Sequence, residues 1–206
     1  MPQDITLLAH GIGCQRGGRL LFSGLRFTLR AGENLLVTGP NGAGKTSLLR
    51  QIAGLLPLQA GRFETVGAAQ LLRSELCHYV GHANAIKGAL SSRENARFWA
   101  DFLEGTREEA EKAIERFSLA PIADLPAGLI SAGQKRRLSL VRLFAAKRPI
   151  WLLDEPSVSL DAASMKTLEG AIKDHLAEGG IAVIASHTPL KLRSSQRLEL
   201  GPKGAA

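Results

Sequence analysis

One stretch constrains this chain more than any other. Gly39-Pro40-Asn41-Gly42-Ala43-Gly44-Lys45-Thr46 fits the pattern G-x-x-x-x-G-K-[ST]. The apolar run Leu35-Leu36-Val37-Thr38 precedes it, and a helical pattern over about 45–53 follows, closed by Gly54 and Pro57. Glycines let backbone N–H groups turn toward phosphate oxygens without a Cβ in the way. The helix that starts there adds the positive end of its dipole. In that arrangement Lys45 reaches the β- and γ-phosphates and the Thr46 hydroxyl ligates Mg²⁺. The nucleotide contact set is then Gly39, Pro40, Asn41, Gly42, Ala43, Gly44, Lys45, Thr46 and Ser47. A glycine-rich turn with an unrelated lysine is the bland alternative, and the flanking strand and helix weigh against it.

A second element follows far downstream. Ile150-Trp151-Leu152-Leu153 is an apolar strand that ends in Asp154-Glu155. Carboxylates at the carboxyl end of a buried strand face a ligand in the crevice there. Beside a phosphate loop, Asp154 suits the metal and Glu155 suits a general base for water. Further on, a helical pattern over 162–178 carries Met165, Leu168, Ile172 and Leu176 on one face, and Ile181-Ala182-Val183-Ile184-Ala185 is another apolar strand. Continuous apolar strands alternating with helices predict a parallel sheet covered on both faces.

The rest of the chain is arranged around that α/β core. Residues 5–30 read as short antiparallel strands broken by Gly11, Gly13, Gly17, Gly18 and Gly24. The middle third is helical and looks inserted, over roughly 84–148. Ser91 with Glu94, and Thr106 with Glu109, have capping-box spacing, and Ala110, Ala113, Ile114 and Phe117 form one buried stripe.

Between the two phosphate-site elements, Ile130-Ser131-Ala132-Gly133-Gln134 heads a helix expected over 135–146. Here the chain resembles the ABC-type ATPases, whose signature is L-S-G-G-Q, with Ala132 in place of one glycine. The resemblance covers about residues 5–201. Ser159-Leu160-Asp161 is similar to the family's D-loop, and His187 stands where it has its switch histidine. The resemblance implies one ABC ATPase domain over 1–206, with an N-terminal antiparallel β subdomain and an inserted helical subdomain. It also implies ATP and Mg²⁺ as ligands and a head-to-tail homodimer. Ser131, Ala132, Gly133 and Gln134 would then act on ATP held by the partner, Asp161 would join the two sites, and Glu155, His187 and Lys45 would be catalytic.

Two positions depart from the family pattern. Cys77-His78-Tyr79-Val80-Gly81-His82 puts His82 where a glutamine is usual, and Arg16 stands where many members have an aromatic that stacks on adenine. A guanidinium also stacks on a base. A metal site at Cys77, His78 and His82 is disfavoured, because adjacent strand residues face opposite sides. Lys135, Arg136, Arg137, Arg142, Lys147 and Arg148 lack interleaved aromatics, so a solvated helix face is preferred over a nucleic-acid site. Phe98, Trp99 and Phe102 are expected to pack within the helical lobe, with a groove for a partner's helix as the minority reading.

Composition excludes other classes. The 206 residues are 45% hydrophobic and 22% charged, with net charge +7 and two cysteines. That is neither a disordered chain nor a disulfide framework. No apolar run approaches the roughly 18 residues of a membrane span, and Met1-Pro2-Gln3-Asp4 does not open a secretory signal. Two kinds of work stay open: a transporter motor docked on separate membrane subunits, or a nucleotide-driven clamp on nucleic acid or the ribosome. The single short cassette favours the motor. The finer pattern resembles the ATP-binding subunits of cytochrome c maturation, the heme-exporter group. The pattern comprises Gly81-His82, Ile86-Lys87, Leu90, Glu94-Asn95 and Gln134-Lys135-Arg136-Arg137. That resemblance implies a peripheral protein on the cytoplasmic face of the bacterial inner membrane. Its partners would be an integral permease subunit and other cytochrome c maturation membrane proteins.

Overall fold

The computed structural model describes residues 5–67, 73–188, 190–193 and 195–201. Met1–Asp4 and the loose-looking tail after Gly201 lie outside these described residues. The chain opens with β1 (Thr6–Arg16) and β2 (Arg19–Arg30), a long hairpin turned by Gly17 and Gly18 at φ 54 and 77. The sequence suggested two short strands where β2 is continuous. Gly24, at φ 68, absorbs the irregularity that would otherwise end the strand. After β3 (Asn34–Thr38) and α1 (Lys45–Ile52), β4 (Ala60–Val66) pairs antiparallel on the other edge of β1, giving the order β2-β1-β4.

A one-turn helix, α2 (Arg73–Leu76), leads into β5 (Cys77–Val80). Then come α3 (Ser92–Phe102), α4 (Arg107–Arg116), a 3₁₀ turn at Ala120–Ile122, and α5 (Ala132–Ala145). The chain closes with β6 (Ile150–Asp154), α6 (Ala162–Ala177), β7 (Ile181–Ala185) and β8 (Gln196–Glu199). The second sheet is parallel, in the order β5-β6-β7-β3-β8. β4 and β8 escaped sequence analysis: β4 is mostly exposed and β8 carries charges, so neither has a continuous apolar run.

The apolar strands build two cores at once. Ile150 and Leu152 of β6, with Ile181, Val183 and Ala185 of β7, face α1 and the antiparallel sheet. Trp151 and Leu153, with Ala182 and Ile184, face α5, α6 and the helical middle. This is why these strands show no polar alternation. Both expected capping boxes form, with Ser91 Oγ accepting from the Glu94 amide at 3.1 Å and Thr106 Oγ1 from the Glu109 amide at 3.2 Å. The stripe Ala110, Ala113, Ile114 and Phe117 is buried and joins the sheet-facing core.

Helix α5 begins earlier than the sequence suggested, at Ala132 instead of Lys135. Ser131 caps it: its Oγ accepts from the Gln134 amide at 3.2 Å, and its own amide donates to Gln134 Oε1 at 2.8 Å. The solvated-face reading of its basic residues fails for Arg136 and Arg142, which are 3% and 5% exposed. The helix lies between the sheet and α3–α4, so most of its circumference is interior.

Two histidines are also interior. His78 Nε2 donates to the Ala146 carbonyl at 2.7 Å, and burial pushes its pKa down to about 3. His175 stacks on Trp151 with ring centroids 4.0 Å apart, and burial pushes it down to about 4. A depressed histidine leaves the unfolded chain binding more protons between the folded pKa and the ordinary value of 6.5. Stability is therefore full above about pH 6.5 and falls as the pH drops toward 4. His175→Phe, which keeps the stack, should flatten that fall by up to about 1.4 kcal/mol per pH unit. Urea denaturation from pH 7.5 to 5 measures the two slopes.

Candidate nucleotide site

The parallel ladder places the carboxyl ends of β3, β6 and β7 side by side, since β7 pairs with both of its neighbours. An open cleft of about 660 Å³ lies along that edge. Arg16, Asn41, Gly42, Gly44, Lys45, Thr46, Ser47, His82, Asp154, Glu155 and His187 line it. Leu21, Val158 and Thr188 also line it; they carry no motif in sequence.

The loop entering α1 uses its glycines for geometry. Gly44 sits at φ 104 and Gly39 at φ 135. A Cβ on Gly39 would stand 1.9 Å from the Leu200 carbonyl oxygen, so the loop presses directly on the end of β8. Lys45 is buried, and its Nζ donates to the carbonyls of Gly39 at 2.7 Å and Pro40 at 3.2 Å and lies 2.9 Å from His187 Nε2. The first-turn amides of α1 have no intrahelical carbonyl to bond.

Thr46 Oγ1 donates to Asp154 Oδ2 at 2.8 Å, bringing two hard oxygen atoms together across 108 residues of sequence. Such oxygen donors suit Mg²⁺. Tyr79, which sequence analysis did not single out, leans on the same carboxylate oxygen at 3.5 Å and accepts from Arg50 Nε at 3.3 Å.

Glu155 is the first residue past β6 and adopts φ 47, a left-handed conformation that costs an L-residue about 1 kcal/mol. Its amide donates to the Ala185 carbonyl at 2.8 Å. Its Oε2 accepts from the His187 amide at 3.1 Å, while Oε1 is buried without a hydrogen bond. A buried acceptor without a hydrogen bond fits a site completed by a ligand or water. His187 Nε2 lies 3.0 Å from Asn41 Oδ1 and 3.6 Å from Glu155 Oε1.

The signature residues do not join this cleft. Ser131 and Ala132 are exposed at the start of α5, with Gly133 and Gln134 partly so. A Cβ on Gly133 would approach the Ser159 carbonyl oxygen to 2.8 Å, so this glycine seats the α5 start against the segment leading to Asp161. Asp161 caps α6, accepting from the Ser164 amide at 2.7 Å. Cys77 and His78 are buried in β5 while His82 reaches the cleft, so the three do not converge.

A family model described as "ABC transporter" matches residues 22–158, about two thirds of the chain. A relative from Bradyrhizobium diazoefficiens, "Cytochrome c biogenesis ATP-binding export protein CcmA", is 49% identical over 198 residues, covering 96% of this chain and 98% of its own. One of the same name from Chelativorans is 47% identical over 199 residues, with the same coverage. The chain belongs to the ABC transporter ATP-binding family. This ABC ATPase binds and hydrolyses ATP. Its fold matches that of a "putative ABC transporter (ATP-binding protein)" from Pyrococcus furiosus, with TM-score 0.81, 22% identity, and coverage of 95% and 97%.

Gly39→Ala should lower the urea midpoint and weaken ATP binding together, because both the φ and the Leu200 contact forbid a side chain. Denaturation and nucleotide titration of the same preparation test this.

Proposed function

We propose that this chain is the ATP-hydrolysing motor of a bacterial membrane export complex that serves c-type cytochrome biogenesis, at the heme-delivery step. The observation that carries the proposal is the meeting of Lys45, Thr46, Asp154, Glu155 and His187 in one cleft, in a chain similar along nearly its whole length to cytochrome c biogenesis export ATPases. The chain acts as one ABC ATPase domain over 1–206, with a helical insertion over about 84–148.

ATP lies on Gly39–Ser47, with Lys45 released from its loop carbonyls onto the β- and γ-phosphates, and Arg16 beside the base. Thr46 and Asp154 hold Mg²⁺, whose charge offsets that of the phosphates. Glu155 accepts a proton from the attacking water, and His187, already hydrogen-bonded through its amide to Glu155, orients the γ-phosphate. His82 enters from the β5 side as the counterpart of the family's glutamine.

Two copies close head to tail. The exposed start of α5, capped at the Gln134 amide by Ser131, points a helix N-terminus outward, and Ser131, Ala132, Gly133 and Gln134 bring it to the partner's ATP, with Asp161 bridging the two sites. The protein is peripheral, on the cytoplasmic face of the inner membrane, bound to an integral permease subunit and to other cytochrome c maturation membrane proteins. Among the described residues no helix is long and apolar enough to cross a membrane. The aromatic cluster of Phe98, Trp99 and Phe102 suits the permease contact: Phe102 is 67% exposed, and Lys87 Nζ lies 4.0 Å from the Phe98 ring centroid. The clamp alternative loses ground because Arg136 and Arg142, two residues of its basic stretch, are buried.

Glu155→Gln should cut turnover by about 100-fold or more while nucleotide still binds and holds the dimer together. Full ATPase activity in that variant would sink the assignment. Lys45→Ala should instead lose nucleotide affinity. Affinity purification from membranes should bring down an integral subunit, whereas cytosolic material carrying RNA would support the clamp.

A further inference from the structure

Three segments of the chain meet at one arginine that the sequence suggested lies on a solvated helix face. Arg136, in the second turn of α5, is buried, and its guanidinium makes five hydrogen bonds. Nε donates to the Pro156 carbonyl at 3.1 Å. Nη2 donates to the carbonyls of Asp154 at 3.0 Å and Glu155 at 2.7 Å. Nη1 donates to the Gly81 carbonyl at 2.9 Å and to Asn84 Oδ1 at 3.2 Å. A guanidinium has five N–H donors, so every one is matched.

Three of those acceptors are successive carbonyls, those of Asp154, Glu155 and Pro156. They converge on one planar fork where the backbone turns through the left-handed Glu155. The other two acceptors belong to the segment that carries His82. From the same helix, Arg142 donates through Nη2 to the Asn84 carbonyl and lies 4.1 Å from the Trp99 ring centroid. Burial lowers the pKa of Arg136, against the opposing pull of Asp154 and Glu155. A buried cation among carbonyls is costly unless the geometry uses it.

We propose that Arg136 is a positioning residue: it holds the left-handed turn that aims Glu155 into the cleft and ties that turn to residues 81–84. Displacement of the His82 segment then moves the backbone of the general base. The proposal rests on the nucleotide reading of the cleft. Lysine cannot replace the fork, since it offers three donors from one atom.

The test uses the full chain, with Arg136→Lys, Arg136→Met and Asn84→Ala beside the unaltered protein. Three quantities are read: affinity for a fluorescent ATP analogue, steady-state ATPase, and amide hydrogen exchange over 81–87 and 154–159. Both Arg136 variants should keep nucleotide affinity within about twofold and lose about tenfold or more in kcat, lysine less than methionine. Exchange should quicken in those two segments and stay unchanged in α4 and the β1–β2 hairpin. Asn84→Ala should reproduce the effect at 81–87 in weaker form. Unaltered kcat in Arg136→Lys overturns the proposal, as does kcat falling only in step with affinity or exchange quickening throughout the fold. If methionine prevents folding, lysine carries the test. If the unaltered chain binds no nucleotide, or Glu155→Gln hydrolyses at the parent rate, the reading of the cleft fails. The exchange experiment then decides Arg136 by itself.

Discussion

The pairing of β7 with both β6 and β3 is the constraint on which the cleft depends. Parallel ladders carry all strands in one direction, so the carboxyl ends of three strands fall on a single edge. The glycine-rich loop leaves β3, Asp154 and Glu155 leave β6, and His187 leaves β7. The Thr46–Asp154 hydrogen bond and the contact of the His187 amide with Glu155 follow from that alignment. Any register slip would turn alternate residues of β6 to the opposite face, because Ile150 and Leu152 pack on one side while Trp151 and Leu153 pack on the other.

Helix α5 is the second organising element. Its amino end is exposed and offers the signature residues outward, while its body is enclosed between the sheet and α3–α4. One helix therefore combines an outward helix terminus with an inward row of buried groups. Arg136 and Arg142 are the expensive members of that row, and both grip the segment that carries His82. The same helix thus links its exposed start, the surface proposed for a second copy, to the backbone of Glu155, the proposed general base.

The helical middle is not a detached lobe. The stripe on α4 and the body of α5 share one core with Trp151 and Leu153 of β6. An ion pair between Arg116 and Asp174, at 2.6 Å, joins α4 to α6 across its edge, but at such exposure its contribution is small. Apolar packing, and not surface charge, fixes the lobe against the sheet.

Much of this was legible in the sequence, because local chemistry is written locally. The glycine loop, the apolar strand ending in two acids, the capping boxes and the four-residue stripe each follow from short-range sterics or periodicity. β4 and β8 were not legible, since an edge strand with charged or exposed residues has no distinctive pattern. Arg136 was not legible either. A run of basic residues on a helix reads as solvated, and nothing local reveals that Pro156 and Gly81 will stand on either side of it. The sequence by itself determined which residues could bind phosphate, hold a cation or take a proton. Tertiary structure decided which of them share a cleft, which helix start faces outward, and which arginine is enclosed. Those outcomes depend on contacts between segments distant in sequence, such as Arg136 with Gly81, 55 residues apart, and Lys45 with His187, 142 residues apart.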